Sequence, residues 1–124
     1  MFYLLENHKI IDTNELLNSG IQISIKKSQK FKVVYLIGWF GERFFGTIKK
    51  QSENVFDLVE EGDLIKDDNC LYEVREISDG KDDNGRKSAI SQPGMFKHWE
   101  WNIEAIYKPN SNGDYIKVWE KKDE

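Results

Sequence analysis

Apolar and polar residues that alternate over several positions constrain this chain more than any other feature, because only an extended strand puts every second side chain on the same face. Ile21, Ile23 and Ile25 alternate with Gln22, Ser24 and Lys26. Trp99, Trp101, Ile103, Ala105 and Tyr107 alternate with His98, Glu100, Asn102 and Glu104. Each run predicts a strand with one buried and one wet face. The segment Phe31 to Phe40 is apolar at odd and even positions alike, as in a central strand covered on both sides. Gly41 and Glu42 then separate it from Arg43 to Lys50, which reads as a hairpin. Gly38 and Gly46 read as marks of a bulge or a sharp coil of the sheet.

The rest of the chain follows the same logic. Glu61-Gly62-Asp63 forms a turn, Leu64 and Ile65 a short strand, Asp67-Asp68-Asn69 a second turn, and Leu71 to Ile77 a returning strand. Residues 78–95 lose periodicity and gather Ser, Asp, Gly, Lys and Asn, which predicts a long flexible loop. Pro109 to Asp114 turns the chain into a last strand, Tyr115 to Glu120, and residues 121–124 form a charged, frayed tail. One helix is expected, from Asp12 or Thr13 to Ser19, with the polar residue as cap, Glu15 in the first turn and Gly20 as the stop. The expected fold is mostly β: a single domain over 1–124 with about seven or eight strands in one small β-barrel or strongly curved antiparallel sheet, plus one short N-terminal helix.

A chain of 124 residues can bury its own core without staples. Cys70 is the lone cysteine and His8 and His98 the two histidines, so neither a disulfide framework nor a zinc site is expected, and a reducing, cytoplasmic compartment is the natural reading. The N-terminal stretch lacks the basic flank and cleavage site of a signal peptide, and no run is long and apolar enough to span a membrane. No cofactor is expected, since the chain has neither a P-loop nor a Gly-x-Gly-x-x-Gly. The loop Asp79 to Gly85 has Lys81 where a calcium loop needs an oxygen ligand and Ile90 where it needs a glutamate, so it reads as a solvated turn. The net charge of -4 conceals two blocks: a balance of +6 over residues 26–50 and of -6 over residues 51–68.

Two segments, Phe56-Asp-Leu-Val-Glu-Glu-Gly-Asp-Leu-Ile65 and Ile103-Glu-Ala-Ile-Tyr-Lys-Pro-Asn-Ser-Asn-Gly-Asp-Tyr-Ile-Lys-Val-Trp-Glu-Lys121, resemble small uncharacterised proteins carried by phages and prophages of Gram-positive bacteria. The likeness covers the C-terminal two thirds and leaves out the helix and the basic block. It implies a phage or prophage origin and assigns no catalytic residue.

Catalysis finds little support in the residue pattern. His98 and Glu100 share a strand face, but alternation alone produces that pairing, and no strained Gly-x-Ser-x-Gly elbow is present. The turn carboxylates Glu60, Glu61 and Asp63 read as solvated. A protein partner is the preferred reading. Its candidate contacts are the aromatic face of Trp99, Trp101, Tyr115 and Trp119, and the acidic turn of Glu60, Glu61 and Asp63. The expected function is therefore non-catalytic binding of a host or phage protein by an accessory protein, with inhibition of a host defence system as one use. A homo-oligomer stays open. The alternative is a small nucleic-acid-binding β-barrel, in which Lys26, Lys32, Arg43 and Lys49 interleave with Phe31, Tyr35, Phe40 and Phe45.

Overall fold

In a computed structural model, residues 1–28, 30–92 and 94–122 are described, without the side chain of Ser28. The described chain is mostly β and divides into two compact units, Met1–Leu58 and Val59–Glu124.

The first unit contains β1 (Phe2–Leu5), β2 (Ile10–Asp12), helix α1 (Thr13–Asn18), β3 (Gln22–Ser28), β4 (Phe31–Gly38) and β5 (Gly41–Ser52), and ends in a 3-10 turn, Val55–Leu58. Its five strands form an antiparallel sheet in the order β2-β1-β5-β4-β3. The expected helix is present. The Asp12 carboxylate accepts from the Asn14 N–H at 3.1 Å, and the chain leaves the helix through Gly20 at φ 78°. The strands β1 and β2, which alternation did not reveal, are short and joined by a turn with His8 at φ 71°.

Tyr3, Leu5, Ile11 and Val34 form the core of this unit, flanked by Leu16, Ile23, Leu36, Phe45 and Ile48. Strand β4 lies between β3 and β5, as an interior strand should, yet only one of its faces is covered. Val34 is fully buried while Phe31 is exposed. The hairpin turn falls on Trp39-Phe40, two residues before the position expected from Gly41 and Glu42, because Gly38 and Gly41 close it as a pair. Gly41 supplies the left-handed residue at φ 92°. Phe45 is extruded as a bulge between Phe44, opposite Tyr35, and Gly46, opposite Val34. A Cβ at Gly46 would lie 2.9 Å from Leu5 Cδ1, so glycine here admits the closest side chain of the core.

The second unit contains β6 (Leu64–Asp67), β7 (Cys70–Ser78), β8 (Ser88–Gln92), β9 (Lys97–Trp99), a 3-10 turn (Glu100–Asn102), β10 (Ala105–Pro109) and β11 (Tyr115–Glu120). Its six antiparallel strands run in the order β11-β10-β6-β7-β8-β9. Both turns flanking β6 and the final hairpin lie where the sequence places them.

Three expectations are corrected. The strands do not close into one barrel: each sheet keeps two edge strands, β2 and β3 in the first and β11 and β9 in the second, so the hydrogen-bond ladder ends instead of returning on itself. Residues 88–92, expected within the loop 78–95, form β8; Ser88 on one face and Ala89 and Ser91 on the other are all buried, since small side chains fit under cover without producing a hydrophobic pattern. Pro93 of that loop lies outside the described residues. The long strand expected from His98 to Tyr107 is broken by the 3-10 turn, which resets the alternation. Of the C-terminal tail, Lys121 donates its backbone N–H to the Glu104 carbonyl at 2.7 Å, while residues 123 and 124 lie outside the described residues.

Candidate functional site

Strand β6 organises the second unit. Asp63, Ile65 and Asp67 alternate, and Ile65, opposite Ile106 and Tyr72, is fully buried. Carboxylates one step to either side of it thus reach two buried polar clusters. At the first, Lys108 on β10 is 1% exposed, and its ammonium donates to Asp63 at 2.6 Å and to Glu60 at 3.0 Å. Asp63 also accepts from the Glu60 backbone N–H at 2.8 Å. Burial pushes the Asp63 carboxyl above the ordinary Asp value of 3.8, against the opposing pull of Lys108.

At the second cluster, His98 Nδ1 lies 2.7 Å from Asp67 Oδ2 and His98 Nε2 lies 2.9 Å from Ser91 Oγ. The Tyr72 ring covers the imidazole at a centroid distance of 4.3 Å. Carboxylate, imidazole and hydroxyl follow one another in the order of a hydrolase relay, with Nδ1–H on the carboxylate side. The Ser91 hydroxyl is completely buried, and its other neighbour is the Phe96 carbonyl at 3.4 Å. Enclosed in this way, the relay holds together β6, β8 and β9. Among the described residues no group of three or more His, Cys, Asp or Glu side chains is placed to hold a metal ion.

The acidic turn is consequently not the free surface expected from the sequence. Asp63 is buried, Glu60 is bonded to Lys108, and Glu61 alone of the three is exposed. The aromatic candidates separate as well. Trp99 and Trp101 are brought together across the 3-10 turn, with their rings parallel to within 1° and 5.3 Å apart. Trp101 is 48% exposed, whereas Trp99 is half-buried beneath Lys97, 5.1 Å from its ring, and Arg86, 5.9 Å away. Tyr115 and Trp119 lie on β11, at the other edge of the strand order from β9; the Tyr115 hydroxyl donates to the Gly62 carbonyl at 2.8 Å.

Lys97 links the indole pair to a cleft of about 450 Å³ whose lining includes Glu76, Asp79, Asp82 and Asp83. The Lys97 ammonium sits 3.1 Å from Asp83 Oδ2. Among the described residues that line the cleft, four are carboxylates and one, Lys97, is a cation, and the Lys81 ammonium sits 3.7 Å from Asp79 Oδ2. Nothing in the sequence joined these residues to the indoles, since they come from β7, the turn after it and β9.

In the first unit the four expected nucleic-acid contacts do not form one row. Lys26 is ion-paired with Glu42 and lies 4.6 Å from the Tyr35 ring centroid. Arg43 sits 5.6 Å from the Phe40 ring, Lys49 is extruded at the bulge where β5 meets β1, and Lys32 points to the opposite face from Tyr35 by alternation. Of the four expected aromatics, Phe31 and Phe40 are exposed, Tyr35 is half-buried, and Phe45 turns into the core. Trp39, at the hairpin turn, is 99% exposed.

No family model, curated protein or solved structure matches this chain. Among the described residues no helix is long and apolar enough to cross a membrane.

Proposed function

We propose that the chain is a phage or prophage accessory protein that acts without catalysis, by binding a host or phage protein through its second unit, with inhibition of a host defence system as the use such binding serves. The observation that carries the reading is the exposed indole of Trp101, held parallel to Trp99 and joined through Lys97 to the acidic cleft. A ring already fixed by stacking loses little rotamer freedom when a partner covers it, so more of its burial is available as affinity. Tryptophan is also among the side chains most often found as interface anchors.

The chemistry of the surface defines its partner: an apolar pocket for the indole beside basic side chains for Asp82 and for Asp79 and Asp83, which in the free chain pair with Lys81 and Lys97. A basic groove that ordinarily holds nucleic acid offers both. The phage assignment is supported by the resemblance of the segments 56–65 and 103–121. The non-catalytic reading is supported by the enclosure of Ser91, whose hydroxyl no substrate can approach without opening the sheet.

Affinity capture from nuclease-treated lysate of a Gram-positive host, comparing the wild-type chain with Trp101→Ala and with an Asp82→Lys, Asp83→Lys double variant, tests this. One stoichiometric protein is expected with the wild type and a loss of at least tenfold in each variant, as fits a hot-spot residue. Equal recovery by all three chains contradicts the reading.

A further inference from the structure

The buried ion pair of the second unit brings an amine nitrogen and a carboxyl carbon within reach of each other. The register that sets Ile106 opposite Ile65 and Tyr107 opposite Leu64 carries Lys108 to the level of Asp63. The Lys108 side chain is 0% exposed and that of Asp63 4%, and Nζ lies 2.6 Å from Oδ2, which is one covalent bond from Cγ. The Asp63 carboxyl is fixed in place. Its Oδ2 also accepts from the Glu60 N–H, and its backbone is tied to the Glu60 carbonyl at 3.1 Å and to the Val74 N–H at 2.8 Å. The Glu60 carboxylate touches the same Nζ at 3.0 Å.

We infer that this cluster is a modification site at which Lys108 Nζ and Asp63 Cγ join in an intrachain amide, with Glu60 carrying the proton. An ammonium and a carboxylate do not react, but one proton passed from Nζ to Oδ2 turns them into a nucleophilic amine and a carboxylic acid. Burial favours this neutral form over two enclosed charges, and the Asp63 carboxyl already holds a proton more tightly than usual. The Nζ lone pair attacks Cγ and the N–C bond forms. Glu60 takes a second proton from the nitrogen and delivers it to the Oδ2 hydroxyl, the Cγ–Oδ2 bond breaks, and one water leaves. Oδ1 remains as the amide carbonyl and Glu60 returns to its carboxylate, so the step needs no oxidant or co-reactant. Contact imposed by the fold replaces the high concentration that two free groups would require in water. The ion pair is the resting reactant, and Asp63 titrates until the bond forms. The inference uses no residue of the indole and cleft surface, so either reading can fail alone.

Intact mass spectrometry of the purified full chain under denaturing conditions, followed on standing at neutral pH, provides the test. The mass should fall by that of one water molecule, and trypsin should then release a branched peptide that joins residues 51–66 to residues 98–117, each ending at a lysine. Lys108→Met should keep its full mass. Glu60→Gln leaves the ammonium and its acceptor in place, so it should keep the wild-type far-ultraviolet circular dichroism while slowing the loss of water by roughly 100-fold or more. The proposal is overturned by a wild-type chain that keeps its full mass. It is equally overturned by a water loss that maps to Asp79-Gly80, where cyclisation of the aspartate onto the backbone gives the same mass, or by a Glu60→Gln chain that crosslinks at the wild-type rate.

Discussion

At the scale of single residues, the second unit stakes its stability on Lys108. An ammonium taken wholly out of water is tolerable only because two carboxylates reach it, and Asp63 pays part of the cost by holding its proton more tightly than usual. Lys108→Met leaves Asp63 charged and enclosed, with an expected loss of about 3–5 kcal/mol in unfolding free energy by urea titration. The sign of the pH effect at Asp63 follows from its raised carboxyl. The folded chain takes up this proton more readily than the unfolded one, so between 3.8 and the raised value acidification favours the fold at this site, and rising pH removes that contribution. A carbon-detected NMR titration should place the Asp63 midpoint above 3.8, and Asp63→Asn should abolish the corresponding slope of stability with pH. None of this was legible in the sequence: Lys108 stands in a hairpin that reads as polar, 45 residues from Asp63. His98 was misplaced for a related reason. The apolar run through Trp99 and Trp101 put the histidine on the wet side, and only the 3-10 turn, which pattern does not reveal, allows it to turn inward to Asp67 and Ser91.

At the scale of elements, turn chemistry was the most legible part of the chain. The Asp12 cap, the Gly62 and Asp68-Asn69 turns and the Pro109 to Asp114 hairpin all lie where Gly, Asn and Asp place them, because these residues fix backbone angles locally. Strands carried by small or few residues, β1, β2 and β8, escaped notice, since burial of Ser88, Ala89 and Ser91 depends on what covers them. The aromatic wealth of β4 and β5 suggested a strand covered on both sides, whereas much of it faces outward. Gly46, which reads as the mark of a bulge or a sharp coil, lies next to a bulge and is in addition a point of close approach. Gly46→Ala should therefore cost about 1–3 kcal/mol in chemical denaturation through collision with Leu5, whereas Gly62→Ala, which meets no atom, should pay only the cost of its φ of 91°.

At the scale of the molecule, the acidic cleft is built from Glu76 to Asp83 and so lies outside the acidic block 51–68 that the sequence shows. The basic block lies in the unit whose sheet exposes Phe31, Phe44 and Trp39, and the acidic cleft lies in the unit that carries Trp99 and Trp101. The sequence offered Trp99, Trp101, Tyr115 and Trp119 as one aromatic face, and only folding separates the two tryptophans that meet, Trp99 and Trp101, from Tyr115 and Trp119 at the other edge of the strand order. The central claim is that Trp101 and its acidic surroundings meet a protein partner. The most direct measurement places a photo-crosslinking amino acid at position 101, and in a control chain at the exposed Leu17 of the first unit, and irradiates each in living Gram-positive host cells. The account expects one dominant crosslinked protein from position 101, absent from position 17 and lost when Asp82 and Asp83 are changed to lysine. No crosslink at 101, or the same spread of products from both positions, would contradict it.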